Sequence, residues 1–160
     1  MQVLRYTLFG LLLVALIAGI VFWSNMGSQV RLNAEVLRVR TLATSESSAL
    51  LIAEVRITNP ARVPFVVREV RVSLVDSSGG SLAGESVAQG DLDRVLGYFP
   101  AEGPRYNETL KVRAKIPGHS QSDCTVPVSF TISKADLDAR RGLEIEIEDV
   151  DRVRVKVSGK

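Results

Sequence analysis

The stretch Ala49-Leu50-Leu51-Ile52-Ala53-Glu54-Val55-Arg56-Ile57-Thr58-Asn59-Pro60 decides the fold class. Its odd positions, Ala49, Leu51, Ala53, Val55 and Ile57, are all apolar, while Glu54, Arg56 and Thr58 fall opposite. A period of two sends successive side chains to opposite faces of an extended chain, so the segment reads as a β-strand with one face on a core. Asn59-Pro60 ends it, because Pro has no N–H for a ladder and Asn favours turns.

The same pattern recurs outward from this strand. Pro64 to Val75 places Val66, Val70, Val72 and Leu74 on one face, with Arg68 intruding. Asp76-Ser77-Ser78-Gly79-Gly80 is turn chemistry, and Ser81–Val87 reads as a short returning strand. Leu110–Ile116 and Cys124–Ile132 read as two more, Pro127 pointing to an edge or a bulge in the second. Leu32, Ala34 and Val36 alternate together while Leu37 and Val39 fall out of phase. Either a bulge near Val36–Leu37 or a strand crossing between sheets accounts for that change. At the C-terminus Leu143, Ile145 and Ile147 alternate with Glu144, Glu146 and Glu148, and Val153, Val155 and Val157 with Arg152, Arg154 and Lys156. A fold at Asp149-Val150-Asp151 would set Ile147 opposite Val153 and Ile145 opposite Val155, with glutamates facing basic residues; one long unbroken strand is the alternative. Two short helices interrupt the strands. Asp91–Phe99 carries Leu92, Val95, Leu96 and Phe99 at helical spacing before Pro100, and Ser133-x-x-Asp136 resembles a capping box whose helix Gly142 would end. The whole predicts an all-β, immunoglobulin- or fibronectin-III-like sandwich with one or two short helices.

Within Leu51–Ala88, the strand ending in Ile57-Thr58-Asn59-Pro60 is followed by Val63-Pro64-Phe65, Val67-x-x-Val70-x-Val72-x-Leu74, Gly79-Gly80 and Leu82-Ala83-Gly84. This stretch resembles the water-stress and hypersensitive-response (WHy) domain, also called the LEA-14 type. The resemblance implies a sandwich similar to fibronectin type III, without a catalytic centre, serving as a stress or interaction module. The Asp91–Pro104 insertion and the charged C-terminal segment depart from that family's pattern. A membrane-anchored protein of the bacterial envelope accommodates them better than a soluble plant-type protein.

The N-terminus is of another kind. No charged residue lies between Tyr6 and Val30, and Leu8 to Phe22 holds eleven Leu, Ile, Val and Phe residues. As a helix, Tyr6 and Trp23 would stand ~25 Å apart, suited to the two interfaces of a hydrocarbon core about 30 Å thick. The sequence therefore predicts a tail over 1–6, a single-pass transmembrane anchor over 7–26 contacting the lipid bilayer, a linker over 27–31 and the sandwich domain over 32–160. A cleaved signal peptide is the rival, but Trp23-Ser24-Asn25-Met26-Gly27-Ser28-Gln29 offers no good small-residue cleavage frame. The single cysteine, Cys124, lies far from any lipobox position. Arg31, Arg38 and Arg40 outnumber Arg5 across the helix, which opposes an outside domain. A short tail before a first hydrophobic segment nevertheless has the form of a signal-anchor, and long domains translocate largely regardless of charge. The expectation is a single-pass inner-membrane protein with a periplasmic C-terminal domain.

Composition narrows the class of work. Charged residues make up 24% of the 160, with a net charge of +2. Both signs are interleaved, which gives no reason to expect nucleic acid. One histidine, His119, sits in a Pro-Gly turn and supplies neither a metal set nor a triad. Cys124 alternates with Val126, Val128 and Phe130, as a buried thiol does. Glu148, Asp149 and Asp151 lack the spacing of a calcium loop. No cofactor, metal, small-molecule substrate or catalytic residue is expected. The stretch Leu96–Asn107 is the part that folding explains least; it gathers Tyr98, Phe99, Arg105 and Tyr106 with Gly and Pro. Tyr and Arg are enriched where proteins bind partners, so this loop is the candidate contact with an envelope protein. The reading is a non-catalytic, tethered interaction or structural module. The alternative is a metallochaperone-like oxidase-assembly factor, which would need softer ligands than Cys124 alone.

Overall fold

The computed structural model describes residues 2–25 and 32–159, with side chains at 10–21 and 32–159. Helix α1 (Gln2–Asn25) is followed by β1 (Asn33–Ser45), β2 (Ser48–Asn59), β3 (Phe65–Val75), β4 (Ser81–Ala83) and β5 (Glu85–Ser86). Then come α2 (Gln89–Tyr98), a 3-10 turn (Pro100–Glu102), β6 (Lys115–Ile116), β7 (Ser120–Phe130), α3 (Lys134–Asp138), β8 (Gly142–Asp149) and β9 (Arg154–Gly159). One sheet runs β1-β2-β7-β5 and the other β4-β3-β8-β9, with β6 pairing β3. Every paired strand is antiparallel.

The core lies between the sheets. The odd positions of β2, with Val126, Val128 and Phe130 beside them on β7, pack against Phe65, Val67 and Leu74 of β3 and Ile145 and Ile147 of β8. Phe65 and Phe130 are fully buried, and each such side chain contributes roughly 1.5–3 kcal/mol by leaving water. The other face of β2 is covered as well, against the expected alternation. Leu50 and Ile52 join Leu42 of β1 under Leu92 and Leu96 of α2. The helix converts a solvent face into a second, smaller core. Its register follows the predicted spacing except at Phe99, which caps the helix and is 41% exposed.

Several strand readings are corrected. In β3 the register slips between Val67 and Glu69, so Arg68 bulges out. Phe65 and Val67 face inward before the bulge, and Val70, Val72 and Leu74 after it, so Val66 does not share their face. A similar slip between Val36 and Arg38 returns Val39 to the core side, which is the bulge alternative for β1. The 81–87 strand splits at Gly84, where the chain crosses from one sheet to the other: β4 pairs β3, β5 pairs β7. A Cβ at Gly84 would stand 2.2 Å from Val128 Cγ1, so the crossing requires glycine. Pro127 pairs with Ile52, and its carbonyl accepts the Val87 N–H, so its missing donor faces the short β5 side.

Strand 110–116 survives only as β6. Leu110 N–H bonds the Thr125 carbonyl, and then Arg113, at φ 67, turns the chain so that Arg113 N–H donates to Val67 and Ala114 accepts from it. The left-handed residue breaks the alternation that the sequence displays. The C-terminal hairpin forms, shifted by two residues from the expected register: Ile147 pairs Val155, Ile145 pairs Val157 and Glu148 pairs Arg154. The turn is wider because Asp149 N–H bonds Val153 and Arg152, at φ 64, returns its N–H to Asp149. A shift of two preserves both faces, so the pattern alone does not distinguish the two registers. Ser133 Oγ accepts from Asp136 N–H as a cap, but α3 ends at Asp138 and Gly142 opens β8 instead of ending the helix.

Among the described residues no helix is long and apolar enough to cross a membrane. Helix α1 covers most of the anchor expected at 7–26; its described side chains, at 10–21, account for about 17 Å of helix. The expected linker at 27–31 lies outside the described residues.

Candidate functional site

The loop that follows α2 is fastened to the outer face of the first sheet by a buried polar cluster. Glu54 of β2 belongs to the nominally polar set of its strand, yet it is 4% exposed. Its Oε2 accepts from Asn107 Nδ2 at 2.9 Å, and Thr125 Oγ1 of β7 lies 2.9 Å away. The same hydroxyl is 3.0 Å from the Asn107 carbonyl and has one proton to share between them. Glu54 Oε1 faces the Arg40 guanidinium at 3.6 Å, an ion pair without a direct hydrogen bond. Arg40 in turn donates to the Glu102 carbonyl at 2.8 Å. At low local dielectric this opposite charge is what makes burial of either group tolerable.

Arg105 closes the third side. Its Nε donates to Asp93 of α2 at 2.9 Å and its Nη1 to the Asn107 carbonyl at 2.7 Å. The Tyr106 ring carries Arg40 at 4.9 Å and Arg38 at 5.5 Å from its centroid, within cation–π reach. Gly103 permits this packing: at φ 79, a Cβ there would lie 3.2 Å from the Tyr106 hydroxyl.

The four candidate residues therefore divide. Arg105 and Tyr106 hold the loop in place, Tyr106 with 55% of its surface still exposed. Tyr98 and Phe99, at the end of α2, have no such anchoring partner among the described contacts, and Tyr98 is 78% exposed. Between α2 and the loop lies a cleft of about 360 Å³ walled by Leu96, Gly97, Pro100, Pro104 and the Asp93–Arg105 pair. A second, larger cleft of about 530 Å³ opens between Val70, Val87, Gln89, Leu110 and Val112. Gln89 Oε1 and Thr109 Oγ1, in residues of its wall, are buried without a hydrogen-bond partner among the described residues. Sequence reasoning missed Arg40, Glu54 and Asn107. Glu54 gave no signal of its burial, because it falls with Arg56 and Thr58 on the polar face of its strand.

The remaining groups singled out by the sequence lie in the core or at turns. Cys124 is buried, with its Sγ 3.4 Å from the Val55 carbonyl, and burial, reinforced by Glu54 and Asp123, pushes its thiol up to about 12. His119 sits at φ 52 in the β6–β7 turn, where its N–H bonds Ala61. Glu148 is enclosed by Arg68, Arg71 and Arg154. Asp149 Oδ1 accepts from Val66 and Val150 N–H, which makes it a turn cap. Asn59 likewise holds a bend, donating to Val63 and Ile116 carbonyls and accepting from Ala61. Among the described residues no group of three or more His, Cys, Asp or Glu could hold a metal ion.

No family model matches the chain, and no curated protein matches it. Among solved structures it is similar to a Bacillus subtilis protein designated a "putative lipoprotein (ycdA)", with a TM-score of 0.52 at 10% identity over 81% of this chain. The matched part is 36% of that protein, so this chain spans about a third of its length. An uncharacterised β-sandwich protein of Clostridium difficile also aligns, over 81% of this chain and 86% of its own, with a TM-score of 0.44 at 6% identity. The chain folds as a mostly-β sandwich with a few helices, a fold it shares with the Bacillus protein at 10% identity.

Proposed function

We propose that this protein is a non-catalytic, membrane-tethered interaction module of the cell envelope, anchored by 7–26 and presenting its sandwich outside the cytoplasm. The observation that carries the reading is the surface at the end of α2. Tyr98 and Phe99 stand exposed at the head of a loop that four side-chain hydrogen bonds fasten beside the buried Arg40–Glu54 pair. A large aromatic surface presented on an ordered loop loses little conformational freedom on binding, which is how interface anchors gain affinity. The tether is supported by Leu11, Leu12, Val14, Leu16 and Ile17 of α1, each more than half exposed rather than packed on the sandwich. The Bacillus neighbour designated a "putative lipoprotein" is compatible with that address. The Asn59-Pro60 bend and the β2–β3 pattern keep the WHy-type reading as part of this proposal.

The test is site-specific photo-crosslinking in native membranes from position 98, with position 78 in the β3–β4 turn of the other sheet as control. A discrete adduct from 98 alone, lost in Tyr98→Ser/Phe99→Ser with an unchanged melting temperature, supports the proposal. Equal crosslinking from both positions would refute it. The metallochaperone-like reading finds one thiol donor in the sandwich, Cys124, and it is sealed in the core. Tight Cu(I) binding by the intact protein would nevertheless establish it over the present reading.

A further inference from the structure

The end of the sandwich at which β1 begins differs from the rest of the surface. Four loops gather there around the start of β3: His119 N–H bonds Ala61 in the β2–β3 connection, while Arg113 and Val150 N–H bond Val67 and Val66 of β3. They are the β2–β3 connection, the turn before β6, the β6–β7 turn and the β8–β9 turn. Arg62, Arg113, Lys115 and Arg152 are exposed on or beside them, and among the described residues none has an ion-pair partner. Most exposed cations elsewhere are matched, as in Arg56–Asp123, Arg71–Glu69, Lys134–Asp138 and Lys156–Glu144. The loops' one carboxylate on the surface is Asp151. Val63 and Val150, at 40% and 51% exposure, stand among the cations.

Two backbone facts sharpen the picture. The non-glycine residues at positive φ among those described are Arg113, His119 and Arg152, all in these loops. Glycine would hold such a conformation without steric cost, so basic side chains are kept here at some expense to the backbone. Second, eight peptide steps separate Asn25 of α1 from Asn33 of β1, a reach of no more than about 27 Å. Strand β1 itself is about 40 Å long, so the opposite end of the sandwich, with the Asp76–Gly80 turn, cannot be the one brought to the helix.

We infer that this end of the domain is a lipid-facing surface: Arg62, Arg113, Lys115 and Arg152 engage the phosphates of anionic phospholipids while Val63 and Val150 enter the headgroup layer. The inference rests on α1 being a membrane anchor. Charge complementarity identifies the occupant, since a basic surface held within a tether's length of a bilayer meets phosphodiester groups before any other anion. Basic residues at an anionic surface each favour the bound orientation by roughly five-fold, so four together amount to several hundred-fold at low ionic strength.

The full-length chain is reconstituted in vesicles of zwitterionic lipid, or of the same lipid with an anionic phospholipid added. A spin label is placed at Val150→Cys or, as control, at Ser78→Cys; buried Cys124 stays unlabelled. The expected result is a several-fold rise in collision of the 150 label with a lipid-dissolved relaxant when anionic lipid is present. It should be reversed by molar salt and abolished in Arg62→Gln/Arg113→Gly/Lys115→Gln/Arg152→Gly, with no change at 78. The two glycine substitutions relieve positive φ, so this variant keeps its melting temperature. A 150 label indifferent to lipid charge, or a response that persists in the quadruple variant, overturns the inference while leaving the anchor intact. A protein that fails to float with vesicles of either composition after a salt wash overturns the anchor, and this inference with it.

Discussion

At the scale of single residues, Glu54 and Cys124 show what burial does to a polar atom. Glu54 is held by Arg40, Asn107 and Thr125, and removing it leaves the Arg40 guanidinium buried without a counter-charge. Glu54→Ala is therefore expected to cost about 3–5 kcal/mol in chemical denaturation, whereas Arg40→Leu/Glu54→Leu, which removes both charges together, costs much less. A single substitution no worse than the double one would show that the pair carries no buried charge. Cys124 gives a pH signature. Its thiol is held protonated in the fold, while the unfolded chain releases the proton near the ordinary value of 9.0. Above that pH the unfolded state binds fewer protons, so stability falls as pH rises towards the folded value of about 12. The stability of wild type relative to Cys124→Ala should decline by about 1.4 kcal/mol per pH unit above that point and stay flat below it. A flat difference throughout would mean that the thiol is not sealed from water.

At the scale of elements, the sandwich is closed by features that interrupt regular pairing. Gly84 passes the chain between sheets where Val128 and Phe130 leave no room for a methyl group. Gly84→Ala should destabilise the protein by on the order of 1–3 kcal/mol, as overpacking does, read as a lowered denaturation midpoint. An unchanged midpoint would show that the crossing is free to shift. The existence of β2, β3, β7 and the β8–β9 hairpin was legible because each buries one face and alternates accordingly. What alternation does not carry is any event that shifts phase by two residues or hides a turn within an apolar run. The hairpin register was set by Asp149 and Arg152, and the loss of strand from 110 to 114 by Arg113. Helix α2 was legible from its spacing, but its docking over Leu50 and Ile52 was not, because those residues read as part of an apolar run in a strand.

At the scale of the whole molecule, the prediction concerns the division between stem and body. The full-length protein is expected to stay in the membrane fraction through high-salt and alkaline washes, and deletion of 7–26 is expected to release it with a β-type circular dichroism spectrum. Release of the intact chain by alkali alone would remove the tether from the account. The candidate site was legible in part: Tyr98, Phe99, Arg105 and Tyr106 stood out because Tyr, Arg, Gly and Pro gathered where no strand or helix needed them. Their separation into two holding residues and two free ones came from contacts with Asp93, Arg38 and Arg40, from 12 to 68 positions away in the chain. Composition and periodicity by themselves determined the apolar stem, the pleated class of the domain and the identity of most strands, because transfer of apolar groups from water acts on each residue locally. Register, sheet order, the second core under α2 and the burial of Glu54 were decided by tertiary structure. Each depends on which distant backbone or side chain arrives to satisfy a hydrogen bond or balance a charge, and no local pattern encodes that meeting.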